Sequence, residues 1–241
     1  WDLLLPPDPD TDPRLLYFRE AIRLMAAEHG DQVPIAMVIP IPADIPGLVM
    51  GLEAWLETVL FDPAEAQLVM EKVIPFYVEL VNGFFAAGAK FVAMPSAFAS
   101  PTIVTRDIVS SFTRPILDRV LSQLHGPVIL HNVGAPLLPH LDLLTGLPAM
   151  VGVIMDQRDD LARARQVVGS DIVLFGGLDC STISQMTVSE VKDRCRVILE
   201  ERRQDPRFVL STSGPDVVWN TPPENIHAML KTAESTGSVS V

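Results

Sequence analysis

Six short apolar runs recur along this chain, and each one breaks into small or polar residues before a helical pattern begins. The runs are Val33–Ile39, Phe91–Met94, Pro127–Leu130, Met150–Met155, Ile172–Phe175 and Phe208–Leu210. Runs of that length flanked by Gly and Pro read as buried strands. Between them lie segments with helical spacing. Leu15, Leu16, Phe18, Ile22 and Met25 mark a helix from Pro13 to Gly30, and a short one follows over Leu52–Leu60. Asp62-Pro63 opens a long helix to Ala87, with Asp as the cap and Pro in the first turn. Further helices are expected over Asp107–Gln123, Leu137–Leu144 and residues 159–168. Thr187-Val-Ser-Glu190 and Thr221-Pro-Pro-Glu224 read as capping boxes for the last two. No hairpin signal separates any pair of strands. Strand, loop and helix in strict alternation can only be a parallel sheet covered by helices.

Composition narrows the function classes. The chain has 241 residues, enough for one large domain or two small ones, and its 48% hydrophobic content excludes disorder. A formal net charge of -12 argues against nucleic acid or an anionic membrane as partner. No apolar stretch reads as a transmembrane span or signal peptide, and Cys180 and Cys195 alone make no disulfide framework, so the expected compartment is the cytoplasm. The first residue is Trp1 rather than Met, so the numbered chain is not expected to begin at a native start, and residues 1–12, rich in Pro and Asp, read as a linker.

In parallel α/β folds the chemistry collects where strands end, because every strand delivers its C-terminal tip to the same face. His131 and Asn132 end the third run, followed by the glycine turn at Gly134. His131 reads equally as a site residue and as a hydrogen-bonded strand-end histidine. Asp156 ends the fourth run, and Asp179 with Cys180 follows the fifth. Paired carboxylates there can handle protons, orient a histidine or bind a metal, or they can simply cap the next helix or pair with an arginine. Cys180 reads as a ligand or nucleophile, or as an inert half-buried thiol. Ser96 follows the second run, and Ser211, Thr212 and Ser213 end the sixth, where backbone N–H groups bind anions or make ordinary turns. Cys195 falls on the stripe Val188, Val191, Cys195, Ile198 and reads as core. His125 and His227 fall away from the strand tips.

Val33-Pro-Ile-Ala-Met-Val-Ile-Pro with Met50-Gly51, Ala87-Gly-Ala89, Asp156 with Asp160-Leu-Ala-Arg-Ala-Arg165, Gly176-Gly-Leu-Asp179, and Thr221-Pro-Pro-Glu-Asn225-Ile226 with Ala228-Met229 occur in this order. In order and spacing they resemble the uroporphyrinogen decarboxylase superfamily. The branch they are most similar to contains the corrinoid-dependent methyltransferases of the methylcobamide:coenzyme M type. The resemblance implies a TIM-like (β/α)8 barrel over the whole of 1–241, of which this chain carries about six βα units and lacks the first two strands. It implies a methyltransferase that moves a methyl group between a corrinoid, carried by a corrinoid protein, and a small molecule, with a homodimer as the expected assembly. The catalytic residues would be His131, Asp179 and Asp156, and the corrinoid would be bound by Asn132, Ser96, Ser211 and Ser213.

The methyltransferase branch activates its thiol on zinc held by His-x-Cys and a later Cys. Here the resemblance places His131 on the histidine, Val133 on the first cysteine and Pro215 in the loop of the second, with Cys180 as a relocated ligand. Two other readings stand beside methyl transfer. One is a decarboxylase acting on a tetrapyrrole such as uroporphyrinogen, although Met94-Pro95-Ser96 replaces its substrate-binding Asp and the nearest cations are Arg106 and Arg158. The other is a non-catalytic binding module with a decayed metal site.

Overall fold

A computed structural model of the chain describes residues 6–214 and 216–236. Residues 1–5 of the expected linker, and Pro215, lie outside the described residues. The six expected strands are present: β1 Ala36–Val38, β2 Phe91–Pro95, β3 Val128–His131, β4 Met150–Ile154, β5 Val173–Leu178 and β6 Phe208–Thr212. They follow one another in sheet order β1-β2-β3-β4-β5-β6, and the registers described are parallel. Parallel neighbours need crossover connections, and the helices supply them. These are α1 Pro13–His29, α2 Ile45–Met50, α3 Leu52–Phe61, α4 Pro63–Ala86, α5 Arg106–Ile108, α6 Arg114–Leu121, α7 Leu161–Val168, α8 Val188–Glu201 and α9 Pro223–Thr236.

Two compact units divide the chain, one through His131 together with Leu143–Val151, the other Asn132–Asp142 with Gly152–Val241. In the first, β2 pairs with β1 from Ala36↔Phe91 and with β3 as far as Pro95↔His131. Asp12 caps α1 by accepting from the Arg14 and Leu15 N–H groups, and Asp62 caps α4 by accepting from Glu65. Ile22, Leu80 and Phe84 from α1 and α4 pack with Ile35 and Ala89 into one apolar cluster. A second aromatic group joins Trp55 of α3 to Phe98 and Phe112, with the indole N–H donating to the Ala43 carbonyl at 2.8 Å.

In the second unit β5 pairs with β6 from Leu174↔Phe208 to Leu178↔Thr212. Val191, Cys195 and Ile198 of α8 and Ala228 of α9 pack with Leu178 and Ile183, so Cys195 is core as its helical stripe implied. The capping box at Thr187–Glu190 forms in both directions. Asn225, 1% exposed in α9, donates to the carbonyls of Ile183 and Met186 and ties the loop after β5 to that helix.

Four local expectations are corrected. The 107–123 helix is interrupted by a π turn over Val109–Thr113. Pro115 has no N–H for the Ser111 carbonyl, and the helix widens just before it. Leu138–Leu144 is a 3-10 helix rather than an α-helix. The Thr221 capping box does not form, since α9 starts at Pro223 and the Thr221 hydroxyl makes no hydrogen bond. Thr221 is one position too early to cap, and Pro222 and Pro223 offer it no N–H. Finally, β5 runs beyond Phe175, where the apolar run ends, through Gly176 and Gly177 to Leu178. Both have positive φ, 154° and 117°, and a side chain at Gly177 would come within 2.9 Å of Ile198. Glycine is required there to let α8 lie against the strand.

Candidate functional site

The strand tips of the first unit are tied to one another through backbone carbonyls and one buried carboxylate. His131 closes β3 and is 4% exposed. Its carbonyl accepts from both the N–H of Ser96, at 3.1 Å, and the Ser96 hydroxyl, at 2.8 Å. Ser96 is fully buried, so its hydroxyl serves β2–β3 register. Asp44, in the loop after β1, is 7% exposed and accepts from the Ala97 and Phe98 N–H groups, one per oxygen, each at 2.8 Å. Burial pushes its carboxyl up to about 7, against the pull of those two N–H groups. Tyr77 donates to the Pro40 carbonyl at 2.8 Å in the same loop, and its phenol is pushed upward by burial and then by the Asp44 charge.

In the second unit a guanidinium organises the tips. Arg158 binds Asp156 through Nε to Oδ1 at 2.6 Å and through Nη2 to Oδ2 at 3.1 Å, and donates to the Gly134 carbonyl at 2.9 Å. Asp156 is 2% exposed while the Arg158 side chain is 55% exposed, so the pair has a buried acid and a solvated base. The hydrogen bond and charge of Asp156, then the charges of Asp159 and Asp179, raise the Arg158 pKa. Asp159 accepts from the N–H groups of Leu137, Leu138 and Asp156, and burial raises its pKa. Asp179 sits just past β5. Burial works to raise its pKa, but bonds from Ser181 and Thr182 outweigh it and hold the carboxyl below its usual range. It is therefore ionised at neutral pH.

Asn132 is 1% exposed and fully engaged. It donates to the Ser213 carbonyl at 2.8 Å and the Ile154 carbonyl at 3.2 Å, and accepts from the Gly134 N–H at 2.8 Å. The Ser213 hydroxyl donates to Gln157 Oε1 at 2.6 Å, and the Ser211 hydroxyl to the Thr212 carbonyl at 3.0 Å. Cys180 is half-buried, its sulfur packed against Gly214. His125 and His227 are exposed, away from the tips.

The tips of the second unit thus gather the strand-end residues Asn132, Asp156 and Ser213, together with Arg158. Asp44 and Asp159 were not singled out in the sequence. The available signal for both was their place in the loops after β1 and β4. A cavity of about 400 Å³ lies beside Asp156 and Asp159, lined also by Gly177, Arg194 and Glu201.

The donor set does not fit catalytic zinc, which takes about three protein ligands. Val133 and Pro215 cannot coordinate, and among the described residues the trio with ligand atoms within 4.8 Å of one another is Asp8, Asp10 and Glu79, all exposed. Neither His131 nor Cys180 belongs to such a group.

Over residues 1–236 the chain matches the family description "Uroporphyrinogen decarboxylase (URO-D)". It belongs to the uroporphyrinogen decarboxylase family. A curated relative, the methylated-thiol–coenzyme M methyltransferase of Methanosarcina mazei, is 24% identical over 221 residues, covering 90% of this chain. The chain spans 57% of that protein's length. Among solved structures, a methyltransferase from Methanosarcina mazei superposes with a TM-score of 0.83 at 19% identity, covering 96% of this chain and 67% of its own. A B12-independent methionine synthase from Shewanella sp. W3-18-1 gives 0.59 at 16% identity, covering 91% and 65%. These likenesses establish the α/β fold of the TIM-barrel-like kind. No helix among the described residues is long and apolar enough to cross a membrane.

Proposed function

We propose that the chain is the barrel portion of a methyltransferase that moves a methyl group between a corrinoid, held by a partner protein, and a small molecule. The observation that carries this reading is the alignment with a methylated-thiol–coenzyme M methyltransferase over 90% of the chain. The site chemistry supports it over decarboxylation of a tetrapyrrole. A porphyrinogen with several carboxylates calls for several free cations, whereas Arg158 is committed to Asp156 and Asp179 adds a negative charge. Position 95, where the decarboxylases' acid would fall, is a proline paired in the sheet with His131.

In this reading the corrinoid is a substrate delivered to the strand tips, and no step runs through zinc. Methyl transfer is a displacement, so the protein's work is to orient the two partners and exclude water. Asp179, at the strand tips of the second unit, is the residue assigned to contact them. Asp179, held ionised by Ser181, would favour a positively charged or hydrogen-bond-donating group on the small molecule. Asp156, locked by Arg158, acts as a positioning residue for the loop at Gly134.

The test is turnover of methylcobalamin by the purified chain with a panel of thiols and other nucleophiles, followed by the corrinoid absorption spectrum, beside a parallel assay with uroporphyrinogen. Nucleophile-dependent demethylation reduced by Asp179→Asn supports the reading. Decarboxylation without demethylation transfers the protein to the other activity, and inactivity in both assays would sink the enzymatic reading. Elemental analysis of the same preparations should find zinc well below one per chain.

A further inference from the structure

The connection between β1 and α4 carries two short helices with several exposed apolar side chains. α3 buries Trp55 and Val59, at 0% and 5% exposure, against its own unit. The stripe adjoining that face, Leu52, Leu56 and Leu60 at i, i+4 and i+8, is exposed at 44% and 53% at its two ends. Phe61 beside it is 82% exposed, and α2 adds Leu48 and Val49 at 69% and 63%. Single exposed apolar side chains are ordinary, but a run of them along two consecutive helices marks an interaction surface.

Charge identifies what fits it. Glu53 and Glu57 flank the stripe on α3, both exposed, and neither has an ion-pair or hydrogen-bond partner among the described residues. Carboxylates four residues apart on a helix repel each other, a cost that an opposite charge would reverse. No Lys or Arg occurs between Arg23 and Lys72, so the chain supplies no nearby cation of its own from this segment. The surface is therefore apolar along its middle and acidic at its edge. An acidic rim disfavours both an anionic membrane and a second copy of the same acidic face.

We propose that the α2–α3 face docks a protein partner that presents an apolar ridge flanked by lysine or arginine. Because these helices follow β1, the partner would sit at the strand-tip side of the first unit, where a carrier protein would deliver its cargo. The surface stands independently of which reaction the site performs.

The test uses the whole chain and a fluorescent helical peptide of about 18 residues, with leucines on one face and lysines beside them. A second peptide carries glutamate in place of lysine. Anisotropy titrations should show saturable binding of the first peptide, weakened about tenfold or more by the Leu48→Ser/Leu60→Ser double variant and by raising salt from about 0.05 to about 0.5 M. The control Leu230→Ser, at a 54% exposed position on α9, should bind like the wild type. All three positions are exposed, and thermal melts confirm that the variants fold. Absence of saturable binding, equal binding of the two peptides, or an unaffected double variant overturns the proposal. So does a concentration-dependent dimer in sedimentation velocity that the double variant abolishes, which would assign the face to a second copy of the chain.

Discussion

Replacing Asn132 with alanine should cost more than any polar surface contact in this protein, because one side chain satisfies three backbone groups. In Asn132→Ala the Ser213 carbonyl and the Gly134 N–H each lose a partner at 2.8 Å, in a position where the side chain is 1% exposed. The Ile154 carbonyl keeps the weaker bond from the Asn132 N–H at 3.3 Å. Gly134 is exposed, so its N–H can turn to water, whereas the Ser213 carbonyl is left unsatisfied in a buried place, and the expected loss is about 1–3 kcal/mol. That is a measurable share of the roughly 5–15 kcal/mol that holds a domain together. Asn132→Asp keeps the acceptor for Gly134 but turns a carboxylate toward two carbonyl oxygens, and should be at least as destabilising. Urea unfolding followed by circular dichroism measures both, as a fall in midpoint at unchanged slope. A loss under about 1 kcal/mol in Asn132→Ala would refute the argument that this side chain is a structural tie, and would return it to the substrate-binding set.

Three further outcomes follow from the structure. Burial raises the Asp44 carboxyl from 3.8 to about 7, so the folded state holds its proton more tightly than the unfolded chain. Its contribution is therefore complete below about pH 4 and is lost as pH rises toward 7, amounting to about 4 kcal/mol. Asp44→Asn should flatten that part of the stability–pH curve relative to wild type, while the slope from Asp159, also raised, remains; equal slopes in variant and wild type would contradict it. Gly177→Ala combines a φ of 117° with a contact of 2.9 Å to Ile198, and should destabilise by about 2–4 kcal/mol. Gly134→Ala, with a φ of 78° and nothing within 4 Å, should lose only about 1 kcal/mol in the same melts.

The order of elements was legible because it rests on local rules. Short apolar runs between Gly and Pro located six strands to within a few residues, and the caps at Asp62 and Thr187 were readable from spacing alone. The misreadings have local causes too. The fifth apolar run stops at Phe175, but the partner strand supplies Leu210 and Ser211 to pair with Gly176 and Gly177 and extends it. The candidate site was only partly legible. The strand-end rule pointed to Asn132, Asp156 and Ser213, but not to what they do.

Sequence alone determined the alternation of strands and helices, the acidic balance of charge and the family, since each depends only on residue type and spacing. Tertiary structure decided which polar side chains are spent on the fold. Asn132 meets partners 22 and 81 residues away, and Asp44 meets N–H groups more than 50 residues along the chain. Such groups must be desolvated together and satisfied together, so their partners depend on how the strands are brought side by side, and no local pattern encodes them.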